Sequence, residues 1–424
     1  MDEALTALEA IRKKLVGKKL SYKEIYAVMD QIAHKRLGPV LTTYFAASGY
    51  SKGFSNEELF FLTKAMIETG ERLHFSGIVA DKHSIGGVPG TRTSMIVVPI
   101  VAAAGFKIPK CSSRAITSPG GTADDMEVLA PVAFNKEQIY KIVDKTNACI
   151  VWGGGVNIVP ADDELIKIEE PLLFESFDKI LVSIMAKKIA FNSNHIIIDL
   201  PYGEHVKAHR LSDANILKRK FEYLAEQFKV KILVHIHRVE EPAGRGIGPV
   251  LETKEALKIL EQREDRPRDL ENQSIHLASL LLDLCLEDSG ATLKNRIVKE
   301  FGNTAKWVQY ILSSGHALKK MKEIIKAQGG DPEVTSEKLK PGKYSFEVVA
   351  KHTGIVKQIH SKNATIIAKI LGAPTHTGSG IYLNRKINEH AAGGSNIYTL
   401  YSDNAYALKE AKESLDNFPI LFYE

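Results

Sequence analysis

The stretch Asp81-Lys82-His83-Ser84-Ile85-Gly86-Gly87-Val88-Pro89-Gly90-Thr91-Arg92-Thr93-Ser94 constrains this chain more than any other. A short apolar run, Ile78 to Ala80, precedes it, and a helical-looking stretch, Met95 to Ala104, follows. Strand, small-residue loop and helix in that order make one unit of an α/β fold. Small residues let backbone N–H groups approach an anion, and the helix N-terminus adds partial positive charge. Lys82, Ser84 and Ser94 add side-chain donors. The unit reads as a phosphate site held between strand and helix.

A second loop of the same kind runs from Cys111 to Thr122, with Ser112, Ser113, Thr117, Ser118 and Thr122 around Gly120-Gly121. A lone glycine pair would suggest only a tight strand–helix turn. Lys, His, Arg and many hydroxyls across both loops favour a site for a phosphate, or for a phosphate and a sugar. No G-x-x-x-x-G-K-[ST] occurs, which argues against a P-loop NTPase, and no clean G-x-G-x-x-G opens a βαβ unit, which argues against a dinucleotide fold.

Composition narrows the class. With 424 residues, 44% hydrophobic and 25% charged, the chain is long enough for two or three domains of ordinary globular character. A net charge of +5 from 56 basic and 51 acidic residues is too balanced to argue for nucleic acid. Cys111, Cys149 and Cys285 form neither a disulfide framework nor a zinc pattern, which suggests a reducing compartment. No apolar run reaches transmembrane length, and the acidic, helical start at Met1-Asp2-Glu3-Ala4 is unlike a signal peptide. A cytoplasmic protein is expected, with no nucleic-acid or membrane partner.

Residues 1–75 read as helices, and Ser21-x-x-Glu24 and Ser55-x-x-Glu58 both fit a capping box. Ile78–Ala80, Ala148–Trp152, His195–Leu200 and Lys231–His237 read as strands between helical periods. Residues 163–193 are helical again, with Ser183 and Lys187 four apart on one face. A Gly/Pro-rich linker at 329–342 precedes short alternating strands.

Five segments together resemble the thymidine/pyrimidine nucleoside phosphorylase superfamily, and within it the AMP phosphorylase branch. They are DKHSIGGVPGTRTS (81–94), SSRAITSPGGTADDMEVL (112–129), IVWGGGVNIVPADD (150–163), SIMAKK (183–188) and GRGIGPVLE (244–252), in family order over most of the chain. The resemblance implies an α/β protein with three parts. A helical domain is formed by 1–75 with 163–193. A large α/β phosphate-binding domain with a mixed sheet is formed by 76–162 with 194–330. A small, β-rich α+β domain spans 331–424. The substrate is expected in the cleft between the first two.

The implied reaction is phosphorolysis, in which phosphate attacks the anomeric carbon and expels the base. The nucleophile is already an anion, so the protein must position the reactants and stabilise charge on the leaving base. By resemblance, Lys82, Ser84, Ser94, Ser112 and Thr122 match phosphate-binding positions and His83 a catalytic-site histidine. Ser183 and Lys187 match base-contacting positions. On the AMP phosphorylase pattern, Gly87, the run Ser113-Arg114-Ala115-Ile116-Thr117-Ser118, Thr122, Ser183 and Lys207 match nucleotide-binding positions.

Two departures set the expectation. Ile168 stands where thymidine phosphorylases carry a base-binding arginine, and Glu175 where AMP phosphorylases carry an aspartate proton donor. Glu175 is the expected general acid. The second anion set, Ser113 to Ser118 with Lys207, favours a 5′-monophosphate substrate, AMP first, with ribose 1,5-bisphosphate as product. The alternative is a thymidine or pyrimidine nucleoside phosphorylase giving a (deoxy)ribose 1-phosphate. A phosphoribosyltransferase of the anthranilate type, which shares the fold, ranks low because the G-T-G-G-D loop is missing.

No resident cofactor and no metal site are expected, with inorganic phosphate as co-substrate. The Asp162-Asp163-Glu164 run reads as solvated surface or helix capping, and His235/His237 lack a third ligand. The loop Gly244–Gly248 with Glu252 resembles one that takes part in monovalent-cation binding in some pyrimidine members. AMP phosphorylases of archaea usually carry an additional N-terminal domain, linked to higher assembly, ahead of the point where this chain begins; a homodimer is expected here.

Overall fold

The computed structural model describes residues 3–115, 118–169 and 176–424. Four helices open the chain: α1 (Glu3–Leu15), α2 (Tyr22–Ala33), α3 (Gly38–Lys52) and α4 (Asn56–Glu68). Both capping boxes form: Ser21 N–H donates to Glu24 over 2.7 Å and Ser55 N–H to Glu58 over 2.9 Å, satisfying donors that a bare helix start leaves open.

Then strands and helices alternate: β1 (Ala80–Ser84), α5 (Ser94–Ala103), β2 (Ile108–Ser112), α6 (Thr122–Glu127), α7 (Lys136–Thr146) and β3 (Ala148–Trp152). Next come α8 (Pro160–Glu169), α9 (Phe177–Ala190), β4 (His195–Tyr202), α10 (Leu211–Phe228) and β5 (Lys231–Arg238). β1 pairs with β4, β4 with β5 and β2 with β3, all in parallel. A bridge between Val79 and Lys107, with Ala80 N–H donating to Lys107 C=O over 2.8 Å, joins the two groups, so the order is β3-β2-β1-β4-β5.

The described strands of this α/β core are thus parallel, where a mixed sheet was expected. Each strand is reached by a helical crossover, which returns the chain in the same sense. β4 lies between β1 and β5 and is buried from His195 to Pro201, which explains its Ile196-Ile197-Ile198 run.

The sheet has two cores. Val79, Cys111, Val151, Ile196 and Ile198 enter a core shared with α1–α4, α9 and α10, where α8 packs on α2 and α3, and α9 on α4. Ala80, Ile108, Ile150 and Ile197 face α5 and the helices α11 (Pro249–Leu260), α12 (Arg268–Asp288), α13 (Ala291–Phe301), α14 (Thr304–Ser313) and α15 (His316–Ala327).

β6 (Gly246–Ile247) leaves this layer and joins the C-terminal part. There, β7 (Tyr344–Val349), β8 (Gly354–Ile359), β9 (Gly380–Leu383), β10 (His390–Ala391), β11 (Asn396–Ser402) and β12 (Leu421–Tyr423) pack with α16 (Ser361–Ile370) and α17 (Ala405–Glu413) around a third core. The sheets there are β6-β9-β11-β7 and β10-β8-β12, antiparallel throughout. No described helix is long and apolar enough to cross a membrane.

Candidate active site

The carboxyl ends of the parallel strands face α8 and α9 across a cavity of about 270 Å³. This is where open α/β sheets gather ligands, because the loops and helix N-termini that follow the strands converge there. Lys82, His83 and Ser84 are the last residues of β1 and Ser112 the last of β2, rather than loop residues as their composition suggested. The ladder to β4 continues through the pair Ser84–Asp199 and holds the side chains of β1 rigidly.

Most of the expected residues meet in this cavity. Lys82, His83, Ser84, Gly87 and Ser94 line it from the first loop, and Ser112, Ser113, Arg114, Ser118 and Thr122 from the second. Ser183 and Lys187 line it from α9, and Lys207 from the segment after β4. A Cβ on Gly87, whose φ is +89°, would stand 3.1 Å from the Lys207 backbone nitrogen, so glycine lets these two segments touch.

Other expectations are corrected. Ala115 does not line the cavity; its N–H donates to the Asp124 carboxylate over 2.7 Å, because the second loop closes on the start of α6. Arg114 lines the rim, but its guanidinium is committed to Glu127 at 2.7 Å and Asp124 at 3.3 Å. Ile168 does not face the cavity, whereas its helix neighbours Ile166 and Glu169 do. Ile116, Thr117 and Glu175 lie outside the described residues.

Asp162 overturns the solvated-surface reading of its acidic run. It is 2% exposed and its carboxylate takes the Lys187 ammonium at 2.7 Å and the Ser183 hydroxyl at 2.7 Å. Asp162, Ile166 and Glu169 recur at helical spacing on α8 and present one face to the cavity. Across from Glu169, Lys179 of α9 makes an ion pair with it. Burial nevertheless raises the Glu169 pKa above the usual carboxylate value.

The sheet side carries a denser cluster. Lys82 reaches the hydroxyls of Ser84, Thr93 and Ser94 and lies 3.6 Å from Asp199. Burial pulls its pKa down to about 8. Burial would raise Asp199, but the His237 hydrogen bond (2.8 Å) and the Lys82 charge hold it at about 2; Ser84 also donates to it over 2.6 Å.

Lys188 pairs with Asp81 at 2.8 Å, and Lys110 stands 3.6 Å from the other oxygen of the same carboxylate. Burial and then the Lys188 charge pull Lys110 down to about 7. His83 sits among these cations. Burial and the charges of Lys188 and Lys110 hold its pKa well below the usual value, so it is neutral at pH 7. Its Nδ1 is buried with no hydrogen-bond partner among the described residues. Lys110, Lys188, Asp199 and Glu169 escaped the motif reading, and Asp162 and His237 were set aside in it, because their partners are distant in sequence.

Glu252 is buried and faces Arg92, with the Gly248 N–H donating to it over 3.0 Å. The carboxylate that a cation at this loop would use is therefore held by a guanidinium.

Residues 76–206 match the a/b domain of a glycosyl transferase family, and residues 8–70 match the helical bundle domain of the same family. The chain is similar along nearly its whole length to curated AMP phosphorylases. That of Methanospirillum hungatei is 42% identical over 96% of this chain and 77% of the relative. That of Thermofilum pendens is 41% identical over 98% and 78%, and that of Methanocaldococcus jannaschii 41% over 96% and 78%. The crystal structure of anthranilate phosphoribosyltransferase from Thermus thermophilus superposes with a TM-score of 0.58 at 17% identity, over 75% of this chain and 99% of that one, which speaks to the fold alone.

The chain belongs to this glycosyl transferase family and is a pentosyltransferase. Within the family it falls in the thymidine phosphorylase-like branch that holds the AMP phosphorylases.

Proposed function

We propose that the protein catalyses phosphorolysis of nucleoside 5′-monophosphates: AMP and phosphate give adenine and ribose 1,5-bisphosphate. The observation that carries this reading is one cavity lined by two donor sets. Lys82, Ser84, Ser94, Ser112 and Thr122 form one, and Ser113, Ser118 and Lys207 the other. In this reading the first holds inorganic phosphate and the second the 5′-phosphate. The AMP phosphorylases similar to this chain over most of its length support the same choice.

In the reaction a phosphate oxygen forms a bond to C1′ while the C1′–N9 bond breaks and its electron pair leaves with adenine. A proton then reaches the base. His83 is neutral at pH 7 and contributes a hydrogen bond rather than charge. We assign the proton to Glu175 at first rank. Glu169 is the rival, because it lines the cavity with a raised pKa. Ser183 and Lys187, fixed by Asp162, face the base. No resident cofactor is required, since the nucleophile arrives as an anion.

The enzyme is proposed to act in the cytoplasm as a homodimer. Leu5 on α1 and Val40 and Tyr44, four apart on α3, are exposed apolar side chains suited to a second copy. The functional reading is tested by phosphate-dependent base release from AMP, CMP, UMP, GMP, adenosine, uridine and thymidine. Release from monophosphates alone is expected. Release from thymidine or uridine alone would replace this reading with a nucleoside phosphorylase.

A further inference from the structure

Arg92 ends the first loop and is nearly buried, its side chain 15% exposed, between two fully buried carboxylates. Its Nε lies 2.8 Å from Asp125 and also contacts Glu252, while an Nη donates to the Gly120 carbonyl of the second loop. Glu252 in turn accepts the N–H groups of Gly90 (3.4 Å) and Gly248 (3.0 Å). Beside it, Gly244 N–H donates to Gly90 C=O over 2.9 Å, and Ala243 N–H to the Thr91 hydroxyl over 3.0 Å. Both Asp125 carboxylate oxygens are buried with no hydrogen bond among the described residues; burial lifts the Asp125 pKa well above the usual carboxylate value, and Arg92 is the cation that opposes this.

One guanidinium therefore ties the end of the first loop, the glycine pair of the second and the start of α11. We propose that Arg92 is a positioning residue that fixes the spacing of the two phosphate loops, acting as a built-in cation where three backbone segments converge. Its rigid guanidinium puts Nε against both carboxylates and an Nη on a carbonyl in one fixed plane, a directional hold that a flexible lysine ammonium does not give. Without it, two bare carboxylates face each other and the Gly120-Gly121 turn loses its anchor. The donors at Ser112 and Thr122 then drift relative to Lys82, Ser84 and Ser94. The proposal rests on the reading that these loops hold inorganic phosphate.

The test compares wild type, Arg92→Ala, Arg92→Lys and Glu252→Gln. Calorimetry with inorganic phosphate reads the loops directly, and steady-state kinetics gives KM for phosphate and for AMP separately. Arg92→Ala should weaken phosphate about 10- to 100-fold, the scale of an ångström-level misplacement; KM for AMP should rise by less, because Ser113 and Ser118 share the released loop while Lys207 and the helix wall stay in place. Added guanidinium ion should restore part of the phosphate affinity, and Arg92→Lys should fall between. Glu252→Gln keeps the fork and removes one charge; a smaller loss, again greater for phosphate than for AMP, is expected, and this variant decides the matter if Arg92→Ala fails to fold. Unchanged phosphate affinity, or equal losses for both substrates without rescue, would overturn the proposal. Phosphate binding is read without turnover, so failure of wild type to cleave AMP would sink the functional reading separately.

Discussion

The two walls of the cavity treat positive charge in opposite ways. On the helix wall Lys187 and Lys179 have their own carboxylates, Asp162 and Glu169, while Lys188 of α9 reaches across to Asp81 of β1. Burial pulls Lys187 down, yet Asp162 outweighs it and the net pKa is raised. At the sheet wall Lys82 and Lys110 are both depressed: Lys82 lies 3.6 Å from Asp199, and Lys110 shares Asp81 with the incoming Lys188, so three lysines meet two carboxylates. A wall short of counter-charge is built to receive an anion; a neutralised wall is built for directional hydrogen bonds to a neutral base. This division suits a reaction in which phosphate enters from one side and an uncharged base leaves from the other.

The largest effect should come from the sheet wall. Lys82→Met removes a buried cation from the proposed phosphate set, and kcat/KM for phosphate should fall about 10²- to 10³-fold. A fall in AMP affinity instead would invert the assignment of walls. The proton donor comes next: Glu175→Gln should lower kcat about 10²-fold or more and Glu169→Gln clearly less, both measured with AMP under saturating phosphate. The reverse ranking would move the acid to Glu169.

On the helix wall, Asp162→Asn leaves Lys187 without its partner and weakens the hold on Ser183. KM for AMP should rise on the order of tenfold, about 1.4 kcal/mol, with phosphate unaffected. A subtler check uses pH. Lys110 and Lys82 are charged below about 7 and about 8 respectively and lose that charge as pH rises. Phosphate capture, read as kcat/KM, should therefore decline from pH 7 to 9, and Lys110→Met should remove the lower limb; an unchanged profile in that variant would acquit Lys110. The smallest effect is an expected equality: with Arg92 seated on Glu252, exchanging potassium for tetramethylammonium should leave the rate unaltered.

How far the sequence could be read follows from the same contrast. The two loops at the strand ends were legible as cavity-lining segments because glycines, hydroxyls and Lys82 cluster locally between an apolar run and a helix. Capping boxes were legible because both partners lie within one turn. β2 was not read as a strand, because Lys110 and Pro109 interrupt its apolar pattern. Asp162 looked like surface because Ser183 lies 21 residues away, and Lys188 because it sits in a lysine doublet. Asp199 meets Ser84 only through the β1–β4 ladder. Long-range ion pairs decide this site, and no local window contains them.

The most direct test varies phosphate and AMP independently for wild type, Lys82→Met and Asp162→Asn, following adenine release. The account predicts phosphate-dependent release by wild type, a loss confined to phosphate in Lys82→Met and a loss confined to AMP in Asp162→Asn. Equal losses for both substrates in both variants, or no phosphate-dependent release from AMP by wild type, would contradict it.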